Sequence, residues 1–274
     1  MSDIFSFSRF GLLFRKHLKE NLKNYLLFTG MLWGILFALQ GFVTVMGFNH
    51  GFSPYPYLGI FIMTMLFGGA IFSSMFYSFF QSQAKGIHFF QLPASRIEKL
   101  LVGFIVTQIF FIIIYLVCYY SVNYIMCALY NSFSEIPKNV SPEMLNLYKA
   151  KVTDITSFES KSSIVFFFIL SSISHFGSLS FNKNAFVKTA LFILPIGIFL
   201  TWFSFSSITK MIGGDVMPRG AFFSEAVRIG SGSDVKGYVL LPNNWITFIN
   251  YFLPITLFVL FWLGCFFKLK EKQV

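Results

Sequence analysis

The chain has 274 residues, of which 55% are hydrophobic, 20% aromatic and only 12% charged. A soluble domain carries about 25% charged residues, and a water-soluble fold of this size has no interior for forty phenylalanines, so an ordinary globular class is excluded and lipid is the implied solvent. The net charge of +10 follows position in the chain, as shown below, and does not call for a nucleic-acid partner.

The first 24 residues predict an amphipathic interfacial helix. Phe7, Phe10, Phe14, Leu18, Leu22 and Tyr25 recur at helical spacing, while Arg9, Arg15, Lys16, Lys19 and Lys23 occupy the remaining faces. An apolar face beside a basic one suits a helix lying against anionic membrane lipid. Six apolar runs follow, near 25–48, 57–80, 100–127, 164–181, 187–207 and 246–267. Each approaches the roughly 20 residues that a membrane span needs. The expected fold is therefore an all-α polytopic membrane protein: an interfacial helix over 1–24, a six-span domain over 25–267 and a short tail over 268–274.

Lysine and arginine orient these spans. With the N-terminus in the cytoplasm, 13 of the 21 basic residues fall on the inner side, and the two long outer loops, 128–163 and 208–245, hold the rest. This is the positive-inside pattern, and it predicts that both termini are cytoplasmic. Tyr55, Tyr57, Trp202 and Trp245 then sit at outer ends as an aromatic belt. Ser141-Pro142 predicts a short outer helix over 142–156.

Between the second and third runs lies FFQLPASRIEKLL, residues 89–101. No residue from Asn24 to Ala84 is charged, so the polar marks here are concentrated. Ser95-Arg96-Ile97-Glu98 matches the capping box S-x-x-E, in which the serine hydroxyl accepts from the glutamate amide and the carboxylate accepts from the serine amide. Pro93 disfavours helix just before it. A helix therefore starts near Arg96. Capping does not require Phe89 and Phe90 to stand exposed beside Arg96 and Lys99, and that combination suits a protein partner.

Small residues suggest close helix approaches. Gly30 and Gly34 form a G-x-x-x-G, and Gly69 precedes Ser73 by one turn; both pairs fit packing within one subunit or a dimer seam. Thr201 and Ser204, beyond Pro195 in the fifth run, are candidates to line a polar path. Cys118, Cys127 and Cys265 all fall in apolar runs without metal-ligand spacing. His175 stands alone in the fourth run and reads as a satisfied or surface histidine, not a metal ligand.

The basic N-terminal helix, the six spans and the short inner segment between spans two and three resemble the membrane subunits of type-2 ATP-binding-cassette (ABC) exporters. QLPASRIEKLL, residues 91–101, is similar to an "LP-x-S-R-x-E-K" signature of such permease-like proteins in the Bacteroidetes. The resemblance implies a connecting helix at 5–24 and a coupling segment at about 85–99. Phe89, Phe90, Leu92, Arg96 and Lys99 of that segment would meet a separate ATPase. It also implies a bacterial inner-membrane location and a dimer with a second permease copy or paralogue. The polar 208–245 loop departs from the apolar re-entrant helices of that family.

The chain has no phosphate loop of the G-x-x-x-x-G-K-[ST] type and no H-E-x-x-H. It is accordingly read as a non-enzyme without cofactor, with ATP and Mg²⁺ handled by a partner. The competing reading is a non-transporting scaffold or assembly factor that binds through its outer loops.

Overall fold

The computed structural model describes residues 5–50, 52–81, 83–133, 149–153, 158–181, 184–212, 216–218, 226–229, 237–240 and 252–272, with backbone alone for most of 200–212 and for the strands. Helix α1 spans Phe7–His50 and α2 spans Tyr55–Met75. A single 3₁₀ turn, Ser78–Gln81, leads into the short α3, Gln83–Gln91. Helix α4 runs Arg96–Phe133, and α5 runs Phe158–Ser180. Next come α6, Ala185–Ile212, and three strands: β1, Val216–Pro218; β2, Ala226–Ile229; and β3, Gly237–Leu240. Helix α7, Leu253–Glu271, ends the described chain.

Five of these helices, α1, α2, α4, α5 and α7, contain stretches long and apolar enough to cross a membrane. The protein is thus a helical, membrane-embedded one. The fifth predicted run, 187–207, lies within α6, a helix of 28 residues.

The N-terminal amphipathic segment and the first apolar run are one uninterrupted helix of 44 residues. At 1.5 Å per residue it is about 66 Å long, twice the ~30 Å hydrocarbon layer. Ring contacts fix its level. Tyr25 meets Phe72 near the end of α2 (5.6 Å), and Phe48 stacks on Tyr130 at the far end of α4 (5.4 Å). Residues 25–48 therefore run between these two levels, and the turns before them pack on the start of α4, with Leu13 buried. The end at which those turns lie is termed inner below.

Helix α5 occupies the centre and packs on α2, α6 and α7. Its small residues make this possible. Ser171, Ser172, Ser174 and Ser178 are buried, and at Gly177 a Cβ would collide with Thr189 of α6. Asn184 takes a left-handed backbone (φ 52°) and turns the chain into α6, a conformation asparagine tolerates better than most residues.

Helix α2 stops at Met75 although its apolar run continues to residue 80. Phe76 and Tyr77 instead turn into the bundle, with their rings 5.3 and 4.8 Å from the His175 imidazole. Ile105–Phe110 of α4 forms a π-helical turn. Consecutive residues Val106, Thr107 and Gln108 are all buried there, which the 100° steps of a regular α-helix do not favour; the extra residue of a π-turn re-aims side chains in this way.

The outer end is closed by hydrogen bonds. Asn123 Nδ2 donates to Gln40 Oε1 (3.2 Å), and its Oδ1 accepts from Thr153 N (3.0 Å). Asn131 exchanges two hydrogen bonds with the backbone of Ala150. These hold residues 149–153 against α4 in a non-helical conformation, so the predicted 142–156 helix does not extend through them; most of its remainder lies outside the described residues. Tyr57 is likewise not a belt residue: it is buried, with its hydroxyl on Thr44 Oγ1 (2.8 Å). Tyr55 and Trp202 are exposed, and Trp245 lies outside the described residues. The all-α expectation is also modified, because the 208–245 segment contributes an antiparallel sheet in the order β1-β2-β3. Its register pairs Val216 with Ile229 and Ala226 with Leu240.

Candidate functional site

The inner junction joins α1, α3 and α4, and one buried carboxylate organises it. Ser95 is the N-cap of α4, and both halves of the predicted capping box are formed. Glu98 N donates to Ser95 Oγ at 3.2 Å, and Ser95 N donates to Glu98 Oε2 at 2.8 Å. The second carboxylate oxygen does what no local motif announces. Glu98 Oε1 accepts from Ser6 N (2.8 Å) and from Arg9 Nη2 (3.1 Å). A residue expected only to start α4 thus also ties the beginning of α1 to it. Glu98 is 0% exposed. Its charge is tolerated there because two donors, the Ser6 amide and the Arg9 guanidinium, meet it besides its own cap. Ser95→Ala removes one acceptor only and is expected to cost about 1 kcal/mol, read as a modest fall in thermal unfolding temperature in detergent.

The neighbouring residue corrects an expectation. Lys99 is 1% exposed and is not presented to a partner. Its ammonium donates to the carbonyl of Phe90 (3.3 Å) and lies 5.2 and 5.8 Å from the centres of the Phe89 and Phe90 rings. It is a cation held over aromatic faces, and it fastens the end of α3 to α4.

Phe89 and Phe90 are half-buried and pack with Tyr77, Phe79 and Phe80. These rings need each other as cover, so they are framework and not the exposed anchors expected from the sequence. Leu92 is half-buried beside Leu13 and Val102. Arg96 is half-buried at the first position of α4. Among the described side chains from α3 to the first turn of α4, Ile87 is 57% and Ile97 44% exposed, and His88, Gln91 and Pro93 are exposed too.

The end of α7 meets the same cluster, with Lys272 4.8 Å from the centre of the Phe80 ring. Burial first, then the positive charge of Lys268, holds the Lys272 ammonium below the ordinary lysine range, against the opposing pull of Glu271.

The small-residue pairs separate cleanly. A Cβ at Gly69 would collide with the Phe167 ring of α5, and Ser73 Oγ is hydrogen-bonded to Ser171 Oγ. Both belong to packing within the subunit. Gly30 and Gly34 have nothing within 4 Å of where a Cβ would stand, so they pack on no described part of the chain. Thr201 and Ser204 lie on α6 where only the backbone is described.

A second polar cluster was not legible in the sequence. His175 is 0% exposed, and neither ring nitrogen meets a hydrogen-bond partner among the described residues. The satisfied histidine read from the sequence is therefore corrected: Phe76, Tyr77 and Trp262 enclose it by ring contact. Nearby, Ser172 Oγ accepts from Trp262 Nε1 (3.0 Å) and from Gln108 Nε2 (3.3 Å). The three cysteines are buried free thiols, and no group of three metal-ligating side chains occurs among the described residues.

No protein-family model, no curated protein and no solved structure matches this chain.

Proposed function

We propose that the chain is the membrane-spanning permease subunit of an ABC exporter, driven by a separate ATPase that docks at the inner junction. One observation carries the reading: the short α3 between the second and third long helices is tied to both of the longest helices. Lys99 fastens it to α4, and Glu98 fastens α4 to the start of α1. A push on α3 is then passed to two helices that traverse the bundle, which is the mechanical requirement for energy coupling from outside the membrane. Packed elements of this kind move as rigid bodies between discrete arrangements.

ATP and Mg²⁺ belong to the ATPase in this reading, and this chain supplies the lever. In this reading the inner end, with both termini, faces the cytoplasm from a bacterial inner membrane; the positive-inside charge pattern supports the orientation. The open Gly30–Gly34 face of α1 is the candidate seam with a second permease copy or a paralogue, since small residues let membrane helices approach closely. The alternative, a scaffold that binds through its outer segments, draws on the three-stranded sheet, whose outer strands offer edges for pairing.

The docking surface in this proposal is Ile87, Gln91 and Ile97. Ile87→Asp with Ile97→Asp is expected to leave thermal stability near wild type, because both side chains are exposed. The same pair should abolish co-purification of a Walker-motif ATPase from native membranes, identified by mass spectrometry. Phe89→Ala should instead lower stability by about 2–3 kcal/mol, through loss of ring packing. A folded Ile87/Ile97 variant that keeps the ATPase at wild-type levels removes this docking surface. A wild-type chain that brings down outer-face partners and no ATPase favours the scaffold.

A further inference from the structure

A cleft of about 410 Å³ opens between α1 and the end of α2. It does not involve the α3 docking surface. Its walls change character along their length. Tyr25 and Phe28 of α1, with Phe72 and Met75 of α2, line the part level with the bundle. Asn21, Asn24, His17 and Ser78 line the inner part, together with the rings of Phe76 and Phe79. From His17 to Phe28 the cleft follows eleven residue steps of one helix, about 16 Å. It crosses the level of Lys23, the last charged residue before the uncharged stretch from Asn24 to Ala84. It is therefore mainly apolar at span depth, and most of its polar groups gather among aromatic rings at the interface.

The polar end is already partly organised. Asn21 Nδ2 donates to the His17 carbonyl (3.0 Å), and His17 Nε2 pairs with the Tyr25 hydroxyl (2.6 Å), which fixes their side chains. The Asn24 and Ser78 side chains stand exposed at the rim. Among the described residues no charged side chain lines the cleft; the Lys16–Glu20 pair (3.7 Å) lies on a neighbouring strip of α1.

We infer that this cleft is a binding site for one membrane phospholipid, taking the glycerol-ester region at Asn21, Asn24 and Ser78 and the first part of an acyl chain along Phe28, Phe72 and Met75. A largely preformed concave site with an aromatic body and a few convergent polar groups is the usual form of a small-molecule site. The polarity gradient, at the level where a lipid changes from ester to hydrocarbon, selects an amphiphile. The absence of lining charge makes the site indifferent to headgroup charge. This separates it from the basic faces of α1, which attract anionic lipid from the bilayer surface.

The test uses purified full-length protein, delipidated in detergent and titrated with dioleoyl phosphatidylethanolamine or dioleoyl phosphatidylglycerol, with bound lipid counted by native mass spectrometry. Wild type is expected to hold one molecule of either lipid with similar affinity. Asn24→Trp fills the cleft from an exposed rim position and should weaken that binding about tenfold. Ser78→Phe, from the opposite wall, should do the same, and remains informative if the first variant does not fold. Lys19→Trp, on another face of α1, should bind as wild type does. Equal binding by all four proteins overturns the proposal, as does binding of phosphatidylglycerol alone. Equal loss in the Lys19→Trp control also overturns it, because the lipid is then a general surface one.

Discussion

Glu98→Ala is expected to destabilise the protein by about 3 kcal/mol, far more than Ser95→Ala, although the two residues form one capping box. The difference lies in what each leaves behind. Without the carboxylate, the Ser95 and Ser6 amides both lose their acceptor, and Arg9 loses its 3.1 Å partner. Amides desolvated without an acceptor are costly, whereas a hydroxyl removed from a cap is a smaller loss.

The ion pair itself is the minor part. Arg9 is one-third exposed, so water screens its charge, and a double-mutant cycle between Arg9→Ala and Glu98→Ala should yield a coupling of about 1 kcal/mol or less. Thermal unfolding in detergent gives the stability. Limited proteolysis near residue 7 gives the local effect, because release of Ser6 should expose the start of α1 in Glu98→Ala and not in Ser95→Ala. Equal losses in the two variants would show that the reach of Glu98 to α1 contributes nothing.

Gly69→Leu is expected to prevent assembly of the bundle, and Gly34→Leu to leave the subunit intact. At Gly69 even a single Cβ overlaps the Phe167 ring and stands 3.2 Å from Phe111. Both rings are buried, so neither can swing away. Overpacking by one methyl in a filled interior costs about 1–3 kcal/mol, which sets the expectation for Gly69→Ala; leucine adds three more carbons to the same place. At Gly34 there is nothing to strike. Expression level and a monodisperse elution profile report the first effect. For Gly34→Leu the informative measurement is oligomeric state: loss of a dimer with an unchanged thermal transition is the result expected if this face is a seam. A Gly69→Leu protein as stable as wild type would contradict the close α2–α5 contact.

How much of this was legible in the sequence differs by the range of the interaction. The helical, membrane-embedded class followed from composition and from apolar runs, because in lipid the backbone must satisfy its own hydrogen bonds within each segment. The start of α4 followed from Ser95 and Glu98, because a capping box is complete within four residues. The length of α1 was not legible. A basic amphipathic stretch reads the same whether it lies flat or continues straight into a span, and only its packing on α2 and α4 fixes it as continuous.

The same division runs through the candidate site. Residue type identified Phe89, Phe90 and Lys99 as unusual, but not which way they face. Neighbours beyond the reach of any one motif decided that: Phe79 and Phe80, before the turn into α3, cover the rings, and Lys99 turns inward to the Phe90 carbonyl. Gly34 and Gly69 look alike as small residues in apolar runs, yet one is open and the other lies against Phe167. His175 was read as satisfied or at the surface, whereas aromatic rings from two parts of the chain, Phe76 with Tyr77 and Trp262, enclose it here. The sequence by itself determined the class of protein, the apolar runs and the cap, since these depend on solvent and on contacts within a turn. Only the tertiary structure decided which polar groups meet, which faces stay open and what Glu98 holds together, since those depend on residues that the fold brings together from some ninety positions apart.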